Sequence, residues 1–565
     1  GMLISNHSYG SICGWYYNGS AWQWYGDPSI SNTEDYKFGY YDYGAQSWDD
    51  IAVNYPNYLI CKAAGNDRGD NLSGSSWTYS NGTPGSGTPP AKDGGTLGYD
   101  CIATNATAKN VLTVGAVNKI GGNTGNGWTK ASDVVMSSFS GWGPTDDGRI
   151  KPDVVSPGVS IYSSISTGTT AYDTYNGTSM ATPAASGSLL LVQQHYNARK
   201  GKYMRSASLK GLAIHTADEA GTTAGPDYKF GWGLLNIASC VQFINDSSMN
   251  KLDERILNNG VPQSLQFSAD AGKPLKVTIC WTDKSGTPVT SNELDNTTKM
   301  LVNDLDIRLT RNSDNTVFSP YILDPANPAN AATTGDNTRD NVEMIYIAAP
   351  QAGNYTLSIT HKGTLSGSTQ PFSLLISNGT EKTLAQFTAT KSIICPGQTV
   401  TFTDGSTGAV SQRTWYFPGG NPATSTAANP TVTYATAGKY AVSLKVTGSL
   451  GSDSIYKTDY VTVGGLTIPF TETFESNSTT LSSWSTANAD AASSGITWGI
   501  YTIAGTTPGT AAAGIPLFDY STTGQRDGLI SPALNLSTHT NPTLTFKHAY
   551  QPHVADPELK GVSYY

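Results

Sequence analysis

The residues best suited to chemistry are a serine behind a glycine turn, Ser179, and an amide that ends a buried-type strand, Asn66. Pro183 and a run of small and apolar residues follow Ser179, so we expect a buried helix to begin there, with Pro183 in its first turn. Unpaired N–H groups at a helix N-terminus favour negative charge. A serine that attacks a carbonyl needs that environment, because the intermediate is an oxyanion. The alternative is that Ser179 only caps the helix.

Asn66 has the chemistry to assist the same reaction, because its side-chain N–H can donate to an oxyanion. Ala63, Ala64 and Gly65 precede it and are small enough to line a specificity pocket. The alternative for Asn66 is an ordinary turn residue after a strand. Together with Ser179, we favour the oxyanion role.

The elements that must position these groups alternate between strand and helix through the first 248 residues. Buried-type strands are predicted near the start and in 58–63, 109–117 and 153–157, and helices follow Ser179 and extend to Phe243. This alternation predicts an α/β domain with a mainly parallel sheet and right-handed crossovers.

The twelve residues 176–187 resemble the nucleophile motif of the subtilase family of serine peptidases. The blocks 137–144 and 151–158 resemble segments that precede this motif, in the family's order. The resemblance implies that Ser179 is the nucleophile and Asn66 the oxyanion donor. It also implies that Ser8, Tyr9 and Gly10 pair with the substrate backbone, by the physics of strand addition.

A base and a carboxylate for Ser179 are missing from the sequence. Nothing in residues 1–178 matches the family's histidine or aspartate motifs. His195 lies about four helical turns beyond Ser179, hence roughly 24 Å away. His215 is expected to pack against the fold or face solvent. We therefore expect residues 1–248 to be the C-terminal portion of a subtilase catalytic domain that is inert alone.

Three explanations stay open for the missing half. The sequence begins too late, or the protein is a non-catalytic relative, or another chain supplies the rest; we favour the first. In that case a signal peptide is expected upstream, and the protein is secreted or held at the cell surface.

Residues 249–382 show short alternating strands without a helical pattern and predict an all-β sandwich. They resemble the jelly-roll domain that follows the catalytic domain in some bacterial subtilases. Oxygen-bearing side chains in this segment predict a structural calcium ion, with strand or loop polar residues as the alternative. The candidate ligands are Asn303, Asp304, Asp306, Asn341 and Glu343.

Two further β segments follow. Residues 383–464 resemble a PKD domain, a small two-sheet sandwich with Trp415 in its core. Residues 465–565 resemble the first part of an adhesin-type or MAM-like jelly roll. The fold class is therefore a multidomain chain with an incomplete α/β subtilisin-like domain and all-β sandwiches after it.

The composition of these 565 residues limits the classes of binding partner that we expect. Charged residues make up 14%, the formal charge is −9 and no basic block occurs, which disfavours nucleic acid. No apolar run is long enough to cross a bilayer. Six scattered cysteines lack metal-site and redox-motif spacing. Cys61, Cys240 and Cys280 lie in apolar runs and are most simply free core thiols, and one disulfide that involves Cys13 or Cys101 stays open.

The leading interpretation is a secreted serine endopeptidase acting on peptides through an acyl-enzyme on Ser179, with no cofactor for catalysis. The alternative is a non-catalytic surface protein that binds glycans or proteins through its β-modules.

Overall fold

The computed structural model describes most of the chain, with gaps concentrated near its C-terminus. The described residues are 1–120, 128–289, 293–408, 410–448, 451–464, 466–467, 470–475, 478, 480–488, 498–501, 512–514, 527–532, 534–536 and 541–545. The chain divides into two compact units, residues 1–381 and residues 382–565.

A four-stranded parallel sheet lies at the centre of the first unit. Its order is β1-β4-β6-β7, and every adjacent pair is parallel. The interior strands β4 and β6 are buried along their whole length, as continuous apolar runs predict for a parallel sheet covered on both faces. The four strands are β1 Ile4–His7, β4 Leu59–Ala63, β6 Leu112–Val117 and β7 Val154–Pro157.

Four helices accompany this sheet: α1 Tyr43–Asn54, α2 Thr178–Lys200, α3 Ser206–His215 and α4 Ile237–Asn245. Helix α2 packs under the sheet through Ala181, Ala185, Leu189 and Val192, which recur at helical spacing. Leu190 and Leu191, although apolar, lie 50% and 61% exposed on the other face. Gly201, in the left-handed conformation, ends the helix.

A small mixed sheet, an antiparallel hairpin and two 3-10 turns accompany the α/β part. A tryptophan-rich sheet with the order β2-β3-β5 buries Trp15, Trp24 and Trp77, and the hairpin β8–β9 leads directly into α2. These strands are β2 Trp15–Tyr17, β3 Trp22–Trp24, β5 Trp77–Tyr79, β8 Ile161–Ser164 and β9 Tyr172–Tyr175. The turns are Thr104–Thr107 and Ala131–Asp133.

A two-sheet β-sandwich completes the first unit. Its sheets have the orders β10-β19-β12-β17 and β14-β13-β18-β11-β20, and a short pair, β15 with β16, lies beside them. The strands are β10 Lys251–Asn258, β11 Gln263–Ala269, β12 Leu275–Trp281, β13 Leu305–Arg311, β14 Thr316–Phe318, β15 Tyr321–Ile322, β16 Thr333–Thr334, β17 Val342–Ile347, β18 Gly353–His361, β19 Thr369–Ser377 and β20 Gly379–Glu381.

Helix α3 joins the α/β part to this sandwich, because it packs on β12 and β19. A side chain at Gly211 would bring its Cβ to 2.9 Å from the Cβ of Cys280, so glycine permits the close approach. His215 is buried at the same contact, with Nδ1 bonded to Thr278 Oγ1 at 2.8 Å and Nε2 to Ser377 Oγ at 2.7 Å. Residues 1–248 and 249–381 therefore pack as one body.

A buried charge network connects three elements beneath the sheet. The Asp153 carboxylate accepts from Thr113 N at 2.7 Å, from Lys151 Nζ at 2.6 Å and from Lys210 Nζ at 2.9 Å. Burial alone would raise the pKa of Asp153, but the two ammonium groups outweigh it and hold the pKa below its ordinary value. The block 151–158 thus fixes β7 against β6 and α3.

The second unit begins with a small two-sheet sandwich over 382–464. Its sheets have the orders β21-β23-β27-β25 and β22-β29-β28-β24-β26. Trp415 is fully buried in their shared core and donates Nε1 to Ala427 O at 2.9 Å, so its predicted core position is confirmed. The strands are β21 Phe387–Ala389, β22 Ile393–Ile394, β23 Thr399–Asp404, β24 Val410–Tyr416, β25 Gly420–Asn421, β26 Thr424–Ser425, β27 Thr431–Tyr434, β28 Gly438–Gly448 and β29 Gly451–Val463.

The segment 465–565 is described only in short pieces. These include the 3-10 turn Leu481–Ser483 and the strands β30 Leu466–Thr467, β31 Ser485–Asn488, β32 Gly499–Tyr501, β33 Ala512–Gly514, β34 Asp527–Ile530 and β35 Leu534–Asn535. Much of the predicted adhesin-type jelly roll, including His539, His548 and His553, lies outside the described residues.

All six cysteines are free thiols, and every one of them except Cys395 is buried. Among the helices in the described part of the chain, none has the length and apolar character that crossing a membrane requires.

Candidate active site

Ser179 lies in the first turn of α2, where the chain turns out of the β8–β9 hairpin. The turn depends on Gly177, whose φ of +151° is a conformation that residues with a side chain rarely adopt. Gly177 N donates to Gly158 O at 2.8 Å, which anchors the turn to the end of β7. The N–H of Ser179, in the first turn, donates to no backbone carbonyl within α2 and to no other acceptor among the described residues. It therefore remains available to an anion.

Asn66 lies beside this turn and is oriented by Thr178. Its Oδ1 accepts both Thr178 N and Thr178 Oγ1, each at 2.8 Å. Because the amide oxygen accepts both of these hydrogen bonds, the Nδ2 group is the part of the side chain that can donate to a ligand. A Cβ built on Gly177 would lie 3.4 Å from Ser179 N and 3.6 Å from Asn66 Nδ2, so both donors border the same small space.

Ser8 connects the end of β1 to the start of α2 through two hydrogen bonds. Ser8 Oγ donates to Ser179 O at 3.0 Å, and Ser179 Oγ donates to Ser8 O at 3.4 Å. Pro183 explains the first contact. It lies in the second turn of α2 rather than the first, and its missing N–H leaves Ser179 O without the usual donor four residues on. Our expectation of a first-turn proline was therefore wrong.

The predicted substrate-pairing residues extend beyond β1, which lies at one edge of the described sheet. Tyr9 is 64% exposed. Beneath it, Lys62 Nζ donates to Tyr9 O and, at 3.3 Å, to Ala63 O. Burial lowers the pKa of Lys62 to about 8. The lysine thus holds the backbone of Tyr9, next to the residue whose hydrogen bonds reach Ser179.

The predicted pocket wall follows directly from β4. Ala63 is the last residue of that strand, and both Ala63 and Ala64 are buried, Ala64 in a cluster with Ile102 and Ala106. Gly65 has φ +111° and its carbonyl accepts from Gly141 N at 3.0 Å. This bond ties the wall to the block 137–144. The pocket itself stays a prediction.

None of the four described histidines is hydrogen-bonded to Ser179. His7 bonds Ser5 Oγ at 2.8 Å and Tyr9 Oη at 2.6 Å, and burial together with the charge of Lys62 lowers its pKa. The other three are also engaged away from the nucleophile: His195 with Asn245, His215 in the sandwich contact, and His361 with the N–H of Gly260. Ser179 therefore has no imidazole base within the described residues.

The predicted calcium ligands lie on the sandwich, and each has at least one protein partner, although Asp304 Oδ1, Asp306 Oδ1 and Glu343 Oε1 are buried without a hydrogen bond. Asn303 donates to Gln370 Oε1 at 2.8 Å, and Asn341 donates to Trp281 O at 2.7 Å. Glu343 Oε2 accepts from Ile307 N at 2.7 Å. Asp304 and Asp306 share the ammonium of Lys362, at 3.5 and 3.1 Å, which opposes a divalent cation there. Calcium binding by these five residues stays a prediction.

Sequence reasoning missed two features of this region. Thr178 orients Asn66, and only its adjacency to Ser179 in the motif hinted at a role. The hydrogen bond from Ser8 to the helix was indicated only by Pro183. Because proline has no N–H, the carbonyl of Ser179, four residues earlier, receives no hydrogen bond from within the helix.

Comparison with known proteins identifies two segments. Residues 1–233 match the model of the subtilase family, and residues 384–458 match that of the PKD domain. The serine protease/ABC transporter B family protein tagA of Dictyostelium discoideum is 29% identical over 274 residues, which are 41% of this chain and 15% of that protein. The C5a peptidase of Streptococcus pyogenes is 44% identical over 66 residues, which are 12% of this chain and 6% of that protein. The chain thus spans a small part of each relative's length.

Solved structures give weaker likenesses. The patellamide maturation protease PatA is 20% identical with a TM-score of 0.27, over 43% of this chain and 63% of that one. The PKD1 domain of the Vibrio cholerae metalloprotease PrtV is 34% identical with a TM-score of 0.12, over 14% of this chain and 98% of that one.

Proposed function

Because residues 1–233 form a domain of the subtilase family of serine proteases, we propose that the protein hydrolyses peptide bonds through an acyl-enzyme on Ser179. The observation that carries this proposal is the convergence of three groups on one turn. Ser179 N–H and Asn66 Nδ2 border the same space next to Gly177, and Ser179 carries its hydroxyl on this turn. A nucleophile beside two N–H donors is the arrangement that acyl transfer requires.

In this proposal, the donors stabilise the tetrahedral intermediate. Ser179 Oγ attacks the substrate carbonyl, and the resulting oxyanion accepts from Ser179 N–H and Asn66 Nδ2. The hydrogen bonds from Thr178 to Asn66 Oδ1 set this geometry before substrate binds, so little reorganisation is needed during the reaction.

The substrate peptide pairs with the backbone of Ser8, Tyr9 and Gly10 as an added strand. Two observations support this proposal: Lys62 Nζ holds Tyr9 O in place, and Tyr9 is 64% exposed. Ala63, Ala64 and Gly65 form the wall that faces the side chain before the scissile bond.

The base and its orienting carboxylate come, in this proposal, from outside these 565 residues. The support is the engagement of all four described histidines elsewhere, together with the absence of the family's histidine motif from the sequence. The 565 residues alone are then nearly inert, because a broken triad leaves only the contribution of the oxyanion hole and binding.

We also place the protein outside the cell in this proposal. Its low charge content and its PKD domain support that location, and peptides or unfolded proteins are the substrates.

The test is hydrolysis of casein by the protein expressed from its full open reading frame, compared with Ser179→Ala. Ser186→Ala is the matched control, because this hydroxyl lies on the same helix and bonds only Pro183 O. We expect Ser179→Ala to abolish hydrolysis and Ser186→Ala to retain it. Equal hydrolysis by the protein and Ser179→Ala would overturn the proposal.

A further inference from the structure

A second group of chemically suited residues lies away from Ser179, where three loops of the first unit meet. Asp100, Asp146 and Asp295 each offer a carboxylate oxygen, and these oxygens all lie within 4.8 Å of one another. Asp100 and Asp146 come from loops of the α/β part, and Asp295 comes from the sandwich loop between β12 and β13. Three like charges at this separation repel one another strongly.

Two of these carboxylates each have an oxygen without a partner among the described residues. Oδ1 of Asp100 and Oδ1 of Asp146 are both buried and accept no hydrogen bond. Within the described ranges, no lysine or arginine forms an ion pair with any of the three. The neighbouring Asp147 shows the contrast, because Arg149 donates to its carboxylate from Nε at 2.8 Å. A buried carboxylate without a partner is costly unless something else neutralises it.

Gly39 shows that the two buried oxygens point at one spot. A Cβ built on Gly39 would lie 2.0 Å from Asp146 Oδ1 and 2.5 Å from Asp100 Oδ1, so only glycine leaves the space open. Gly39 also has φ +73°, and its carbonyl accepts from Asp146 N at 3.1 Å. The oxygens therefore converge over a backbone that has no side chain.

We infer that Asp100, Asp146 and Asp295 bind a calcium ion that joins the sandwich loop to the α/β part. The donor set consists of hard oxygens and contains no histidine or cysteine, which favours calcium or magnesium over zinc. Calcium is the better match because it accepts irregular coordination by carboxylates, carbonyls and water, and Asp295 lies on the exposed side, where water completes the shell.

The electrostatics of the ion-free site agree with this inference. Burial and the nearby carboxylates of Asp100 and Asp295 all oppose a negative charge on Asp146. A divalent cation reverses that environment, because it supplies the positive charge that the protein lacks.

The ion would have a defined structural effect on the sandwich loop. Tyr40 Oη already donates to Val289 O at 2.6 Å, and Gln46 Nε2 donates to Gly286 O at 3.0 Å. A calcium ion on Asp295 adds the next anchor along this loop. Removal of calcium should therefore loosen the described parts of this loop, 286–289 and 293–300, before the rest of the unit.

The experiment is calcium titration of the metal-stripped 565-residue chain, followed by thermal unfolding and by terbium luminescence. We expect calcium to raise the unfolding midpoint of the protein by several degrees and to displace bound terbium. Asp295→Asn, at an exposed position that should not disturb folding, is expected to weaken calcium affinity at least ~10-fold. Asp270→Asn, an exposed aspartate elsewhere on the sandwich, is the matched control and should respond like the unmodified protein.

Asp304→Asn separates this site from the other acidic cluster of the sandwich. A calcium response that Asp304→Asn removes and Asp295→Asn keeps would overturn the inference. So would the absence of any calcium response in the unmodified chain.

Discussion

The hydroxyl of Ser8 donates to the carbonyl oxygen of Ser179 at 3.0 Å, and so replaces a hydrogen bond that the helix cannot make for itself. Pro183, four residues beyond Ser179, has no N–H to give. The end of β1, where the substrate is proposed to bind, is thereby fixed to the residue proposed as the nucleophile.

The Ser8–Ser179 contact predicts a coupling between Ser8 and Pro183. We expect Ser8→Ala to lower the free energy of unfolding by about 1 kcal/mol, because Ser179 O then lacks a donor. In a Pro183→Ala background the helix supplies its own N–H, so Ser8→Ala should cost less. Urea unfolding of the four proteins measures this double-mutant cycle. Ser11→Ala, an exposed control, should change nothing; equal costs in both backgrounds would refute the coupling.

The orientation of Asn66 predicts that mutation can separate the role of its side-chain oxygen, which accepts from Thr178, from the role of its side-chain nitrogen. Asn66→Asp keeps an acceptor for Thr178 and should leave stability nearly unchanged, whereas Asn66→Ala should cost about 1–3 kcal/mol. Both should lower peptide hydrolysis by the full open reading frame product by roughly 10²–10³-fold, as removal of one such donor does in subtilisin. Full activity in Asn66→Asp would mean that Nδ2 does not contact the oxyanion.

His215 predicts a loss of stability in mild acid. Its pKa is held well below the ordinary value of 6.5 by burial and then by the charge of Lys276. The unfolded chain therefore binds a proton as pH falls below about 6.5, while the folded chain does not, and this stabilises the unfolded state. Thermal midpoints of the protein between pH 8 and pH 5 should fall by more than those of His215→Gln. His195→Gln, at a partly exposed histidine bonded to Asn245, should keep the dependence of the unmodified protein.

Trp415 predicts a localised loss of stability in the second unit. Trp415→Ala should destabilise the sandwich over 382–464 by about 3–5 kcal/mol, because it removes the largest side chain of that core. Limited proteolysis with mass mapping should then detect new cleavages in this sandwich. Tyr416→Ala removes the next side chain on β24, which is 46% exposed, and should cause little change. Equal sensitivity of the two variants would contradict the core assignment.

The sequence predicts the central sheet well because its strands are local apolar runs. Leu59–Ala63 and Leu112–Val117 are buried along their length, as their composition requires. The sequence also predicts the helix after Ser179. The side chains that are buried in it are set by helical spacing and not by the continuous apolar run 189–192. Leu190 and Leu191 belong to that run and still face away from the core.

The features that sequence reasoning missed depend on contacts between distant segments. His215 lies in a helical pattern that leaves its environment open, and only the sandwich strands β12 and β19 make it buried. Asp100, Asp146 and Asp295 are far apart in the chain, and no spacing rule joins them. The expected helix start at Ser179 is only one residue from the observed start at Thr178, but five helical residues precede Pro183, so the proline lies in the second turn.

The most direct test of the account is fluorophosphonate labelling with mass-spectrometric mapping of the adduct. The 565 residues and the product of the full open reading frame should be labelled in parallel, each with its Ser179→Ala variant. We predict an adduct on Ser179 in the full product and none in the 565 residues. Absence of an adduct on Ser179 in both would contradict its assignment as the nucleophile, and labelling of the 565 residues would contradict the proposal that the base lies outside them.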